Sequence, residues 1–205
     1  MAGPTDRRTV ILHHAADLFA SKGIVATTVR EIADAVGILS GSLYHHFKSK
    51  DEMVSAIVTS YLDDLAVRYD QVMAAGHDPR TELTELVRGS LAVIEAHPHA
   101  TEIYQNSGAY LASLAGYDHI RVAAHSIQKT WITVLEAGGE TGAFRDDIPP
   151  RVLYRMLRDA LWLSVRWLKP TSDYPMSRFA DDFVSTFLDG IVPRTPEHHY
   201  GTVQE

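Results

Sequence analysis

No cysteine occurs among the 205 residues. Its absence excludes a disulfide framework, a thiolate zinc site and a thiol nucleophile, and it fits a reducing compartment. Also missing is any stretch near the roughly 18 consecutive apolar residues that a membrane helix needs. The N-terminus MAGPTDRR is polar, and the apolar spacing after it is broken by His13, His14 and Asp17, so no signal peptide is read there. The expectation is a soluble cytoplasmic protein with no membrane partner. No segment alternates as a half-buried strand does, and there is no internal repeat or low-complexity tract. What is present, 45% hydrophobic and 22% charged residues, is ample for a packed core and excludes a disordered or fibrous chain.

Positive charge is scarce overall, with a net charge of −7, but it is unevenly placed. Residues 1–50 set Arg7, Arg8, Lys22, Arg30, Lys48 and Lys50 against Asp6, Asp17, Glu31 and Asp34, a balance of +2 that leaves −9 for the remainder. A mildly basic N-terminal unit on an acidic body suits a protein whose first part meets an anion.

Apolar spacing is helical nearly throughout, and the predicted class is all-α. Ile11, Ala15, Leu18 and Phe19 form one face of a first helix, which Gly23 stops. Thr28 with Glu31 reads as a capping box opening a second helix that Gly37 ends, and a third covers about Ser40 to His46. Ser49 with Glu52 opens a long fourth helix carrying Met53, Val54, Ile57, Val58, Tyr61, Leu62, Leu65 and Tyr69. Asp78-Pro79 starts the next, and further helices are separated by breaks near His97-Pro98, Leu114–Tyr117, Gly138–Pro150 and Pro170–Pro175. This organisation divides the chain into an N-terminal unit at 1–50, a larger helical unit at 51–193 and a loose tail at 194–205.

Three short helices with a glycine turn between the second and third make a helix-turn-helix arrangement, whose last helix lies in the DNA major groove. Residues there must be small or polar enough to approach bases and phosphates, as Ser40, Gly41, Ser42, Tyr44, His45 and His46 are. Helix starts at Thr28 and Ser49 would aim N–H groups at phosphates, helped by the hydroxyls of Thr27 and Thr28 and by Arg30, Lys48 and Lys50.

The segment TTVREIADAVGILSGSLYHHFKSKDEM resembles the DNA-binding signature of the TetR family of bacterial repressors. Phe19, Gly23, Thr28, Ile32, Ala33, Gly37, Gly41, Leu43, Tyr44, Phe47, Lys50 and Glu52 fall where that family has them. The resemblance implies a three-helix DNA reader, a helical ligand-binding and dimerisation unit, a homodimer on a palindromic operator, and repression relieved by a small molecule. No catalytic residue, cofactor or metal is expected. One departure is Leu39, where many members place a Ser or Thr that caps the recognition helix; here Leu39 either touches a thymine methyl or seals the turn.

In the C-terminal unit the informative stretch is LRDALWLSVRWLKP, Leu157 to Pro170. Arg158, Trp162 and Arg166 are spaced i, i+4, i+8 and would stack along one side of a continuous helix. Two guanidinium groups flanking an indole suit an anion carried on an apolar body. Alternatively the arginines pair with Asp159 or with acids on neighbouring helices, or lie at a dimer surface. Tyr104, Tyr110 and Trp131 are either pocket or core. GILSGSLYHHF and LRDALWLSVRWLKP resemble the subgroup of TetR-type repressors that control late cholesterol-degradation genes in actinobacteria. That resemblance implies a coenzyme A thioester of a partly degraded steroid nucleus as effector, with another acyl-CoA or a free acid as the nearest rival.

Other features carry less. His97-Pro98-His99 lacks the partners of a metal site, and GGETG at Gly138 to Gly142 lacks the lysine and preceding strand of a phosphate loop. An enzyme acting on acyl-CoA would need a nucleophile and an oriented base, and no motif supplies them. Dimerisation is expected around Val152–Leu168 and Ser177–Ile191, where apolar stripes exceed what one core needs.

Overall fold

The computed structural model describes residues 7–191, with side chains described through Leu188; the tail expected at 194–205 lies outside the described residues. Ten helices, and no strand, occur among the described residues: α1 (Arg7–Lys22), α2 (Val29–Val36), α3 (Ser40–Leu43), α4 (Lys50–Ala75), α5 (Pro79–Ala96), α6 (Pro98–Asn106), α7 (Gly108–Ala112), α8 (Tyr117–Glu140), α9 (Pro150–Trp162) and α10 (Met176–Ile191). A short 3₁₀ turn, Leu163–Arg166, continues α9.

Local chemistry explains most of these boundaries. Thr28 caps α2, accepting the Glu31 N–H at 3.2 Å, while the Glu31 carboxylate accepts the Thr28 N–H at 2.8 Å. A bond from the Lys22 ammonium is the main reason that the Glu31 carboxyl is held down at about 2, with the Thr28 N–H and hydroxyl adding to it. Gly37, at φ 73°, ends α2 in the left-handed conformation that glycine adopts without a Cβ penalty. Ser49 caps α4 through the Glu52 N–H, and Asp78 caps α5 through the N–H groups of Arg80 and Thr81, with Pro79 in the first turn.

The first three helices fold around Ile11, Phe19, Ile32, Leu43 and Phe47, and the start of α4 adds Met53 and Val54. Arg8 locks this unit: its guanidinium lies 4.0 Å over the Phe47 ring and donates to the His46 carbonyl at 2.6 Å. In the body α4, α5 and α8 pack on one another, α9 lies on α8, and α10 on α5. Helix α6 packs against both α1 and α4, joining body to N-terminal unit.

Three sequence expectations need correction. The third helix is shorter than Ser40–His46; after Leu43 the backbone tightens into turns, His46 N–H bonding the Leu43 carbonyl at 2.9 Å. Helix α8 runs through Gly138 to Glu140 rather than breaking at the glycines. A Cβ at Gly138 would sit 1.9 Å from the Phe144 ring, so the GGETG segment is where a buried phenylalanine lands on a helix. Finally, α9 is no continuous helix to Leu168. The buried Ser164 hydroxyl bonds back to the Leu161 carbonyl at 2.6 Å, and the chain winds into the 3₁₀ turn there.

Candidate DNA-reading face and effector cavity

Helices α2 and α3 and the first turn of α4 present the small polar groups expected to face DNA. Thr28, Arg30, Leu39, Gly41, Ser42, Tyr44, His45 and Lys48 are exposed, Tyr44 at 54%. Ser40, His46 and Lys50 are half-buried. Gly41 has a negative φ, and a Cβ there would meet nothing within 4 Å, so the chain's own packing makes no demand for glycine. A residue without a side chain on an outward face permits close approach by another surface.

Two residues expected on this face are turned inward. Thr27 is 1% exposed, and its hydroxyl donates to the Gly23 carbonyl at 2.8 Å, closing the α1–α2 loop. Lys50 reaches back to the carbonyls of Ile24 at 2.7 Å and Thr27 at 3.0 Å, neutralising partial charge at the same loop. The helix starts also offer fewer donors than expected. Thr28 and Glu31 satisfy each other, and at α4 the Glu52 N–H goes to Ser49 while its carboxylate takes the Lys48 N–H at 2.7 Å.

A cavity of about 290 Å³ lies within the body between α4, α6, α8 and α9. Its apolar side is Leu62, Leu65, Ile127 and the Trp162 ring; phenols of Tyr104, Tyr117 and Tyr154 add polar points. Burial pushes the Tyr154 phenol up to about 12 and raises that of Tyr104, which keeps both neutral. Arg121 and Arg158 bring positive charge, and no carboxylate lines it. Arg158 bonds its neighbour Asp159 at 2.6 and 2.8 Å, and Arg121 bonds Asp118 at 3.2 and 3.3 Å. Both pairs are substantially exposed, the kind of ion pair that holds its partners weakly.

The chain matches the family model described as bacterial regulatory proteins, tetR family, over residues 11–57. It matches the tetracyclin repressor-like C-terminal domain over residues 76–191. It is 43% identical over 190 residues to the HTH-type transcriptional repressor KstR2 of Rhodococcus jostii, covering 93% of each chain. The KstR2 of Mycolicibacterium smegmatis is 40% identical over 197 residues, with 96% of each chain covered. A solved structure of the ketosteroid transcriptional regulator KstR2 of Mycobacterium tuberculosis superposes with a TM-score of 0.87 at 39% identity, over 94% of this chain and 99% of that one. The protein belongs to the TetR family. Within it the chain stands close to the KstR2 repressors.

Of the residues that the sequence suggested for the effector site of this TetR-family chain, Arg158, Trp162 and Tyr104 meet at the cavity and two do not. Trp131 is fully buried, packing edge-on against Tyr69 at 6.1 Å and Trp162 at 5.9 Å. Arg166 is carried out of line because four residues of a 3₁₀ turn rotate roughly a third of a turn beyond alignment. It bonds Asn106 instead. The cavity is also lined by Tyr61, Tyr117, Arg121, His125 and Tyr154, which sequence reasoning did not single out for it. A signal existed in Tyr117, Arg121, His125 and Gln128, a polar stripe at helical spacing along α8. The histidines of the His97-Pro98-His99 segment face Asp64 at 2.6 Å and Asp17 at 3.6 Å, and no group that could hold a metal occurs among the described residues.

Proposed function

We propose that this TetR-family protein is a ligand-released transcriptional repressor that binds a palindromic operator as a homodimer and is released by a coenzyme A thioester of a steroid-degradation intermediate. The observation carrying the ligand reading is the cavity itself: aromatic and aliphatic walls, phenol donors, two arginines and no carboxylate. Such a lining suits a polycyclic apolar body bearing carbonyl groups and joined to an anion. Its 290 Å³ suit the acyl part alone, so the coenzyme would extend outward past Arg158 and Arg121. The solved relative named as a ketosteroid transcriptional regulator supports a steroid-derived acyl group. The DNA reading rests on the exposed face of Gly41, Ser42, Tyr44, His45 and Lys48.

Release requires that ligand and operator favour different arrangements of the same dimer, because a ligand shifts an equilibrium only by its differential affinity. Helix α6 is placed to couple them. Its Tyr104 and Gln105 line the cavity, while His99, at its other end, lies 3.6 Å from Asp17 on α1. On α7, Tyr110 donates to Asp51 in the first turn of α4. A ligand pressing on α6 would thus move the contacts that set the spacing between two readers, about 34 to 36 Å for adjacent major grooves.

The test is a titration of the dimer bound to its operator with three ligands: the coenzyme A thioester of a bicyclic steroid fragment, the corresponding free acid, and a straight-chain acyl-CoA. Release by the first alone is expected. Release by the free acid at equal concentration would remove the coenzyme from the reading; release by none would overturn the steroid effector.

A further inference from the structure

Leu39 stands at the N-terminal edge of α3, the helix placed to enter the major groove. Its backbone is extended, with φ −70° and ψ 143°, and no side-chain cap closes the helix start. Two roles were open to it, sealing the turn or facing outward. The structure decides between them: Leu39 is 80% exposed, and Ile38, with Leu43 behind it, packs into the turn instead. Among the described residues Val25 at 81% and Leu39 are the most exposed large apolar side chains, ahead of Trp167 at 63%. Val25 lies in the α1–α2 loop; only Leu39 leads a helix of the reading face.

A leucine offers no hydrogen bond to a base edge. In the major groove the one apolar group is the 5-methyl of thymine, so contact with it is how a leucine can gain by approaching bases. Gly41, two positions on, supports that approach. It is exposed, a Cβ there would touch nothing in the chain, and its bareness lets the start of α3 sink toward the groove floor. Ser40 and Ser42 flank it with short hydroxyls that do not hold the helix away.

Building on the DNA-binding role proposed above, we infer that Leu39 is a specificity-determining residue that reads one thymine in each half-site through its methyl group. The operator then carries an A·T pair at that place in both halves. A cytosine there is rejected, whereas 5-methylcytosine, which carries a methyl at the same ring position, is partly accepted.

The experiment uses the full-length protein and the operator it selects from random-sequence DNA. Each thymine is replaced singly by uracil, which removes the methyl and leaves base pairing intact. One position per half-site should weaken wild-type binding by roughly fourfold, the worth of burying one methyl-sized group. Leu39→Ala should bind the thymine operator about as weakly and show no uracil penalty at that position. Cytosine at that position should weaken wild type further, and its 5-methyl form should recover part of the loss. A uracil penalty of equal size in Leu39→Ala, no penalty at any position, or selected sites without an invariant A·T pair would each overturn the inference while leaving operator binding in place. Failure to select any sequence would instead remove the DNA-binding role on which it stands. Leu39 is 80% exposed, so its truncation should leave the fold in place; should Leu39→Ala unfold, Leu39→Ser, which adds the side-chain cap that α3 lacks, makes the same comparison.

Discussion

The indole N–H of Trp162, on α9, donates to the hydroxyl of Tyr61, on α4, joining two residues 101 positions apart at the wall of the cavity between α4, α6, α8 and α9. Both side chains are almost fully buried, so the indole nitrogen is already committed and only its ring faces a ligand. Burial raises the Tyr61 phenol far above its ordinary range, so it stays neutral.

Replacing this tryptophan therefore tests two things at once. Trp162→Phe keeps an aromatic wall but leaves the Tyr61 hydroxyl without its donor, a loss of about 1 to 3 kcal/mol. Thermal unfolding should show a lower midpoint while ligand affinity falls only slightly. An unchanged midpoint would mean that the hydrogen bond adds nothing net.

Arg158 is the cleaner probe of the ligand, because its side chain is half-exposed and its bond to Asp159 is a surface pair. Arg158→Ala should fold and bind the operator like wild type, yet lose a charge-assisted contact of about 2 kcal/mol, or roughly thirtyfold in effector affinity. The readout is the ligand concentration that frees half the operator. Equal concentrations for variant and wild type would return Arg158 to a structural role.

Thr27 and Tyr44 should behave oppositely. Thr27→Val removes a buried hydroxyl that bonds the Gly23 carbonyl and should cost about 1 kcal/mol of stability, with operator affinity retained by the folded dimer. Tyr44→Ala removes an exposed ring and should leave the melting curve nearly in place while weakening operator binding. Loss of operator affinity in a fully folded Thr27→Val dimer, or none in Tyr44→Ala, would reverse the assignment of these two residues.

Gly138→Ala should destabilise without touching either site. The added methyl overlaps the buried Phe144 ring, and relief demands movement of that ring, at about 1 to 3 kcal/mol. Denaturant unfolding measures it; a midpoint equal to wild type would show that the ring shifts freely.

Much of the fold was legible because its signals are local. Capping boxes, the turn glycine at Gly37 and the apolar spacing of α4 relate residues one to four positions apart, and backbone geometry translates such spacings directly into helix starts, stops and faces. The exposed face proposed to meet DNA lies on elements bounded by the same local signals.

What the sequence by itself determined, then, was helix class and order. Only the tertiary structure decided between neighbours of like chemistry: Thr28 faces outward while Thr27 bonds inward, and Lys48 is exposed while Lys50 seals a loop 23 to 26 residues away. It likewise chose Trp162 over Trp131 as cavity wall and took Arg166 out of the stripe by ending α9 early. Each of these outcomes depends on partners distant in the chain or on a switch of helix type, and an energy that arises only when remote segments meet leaves no mark on local spacing.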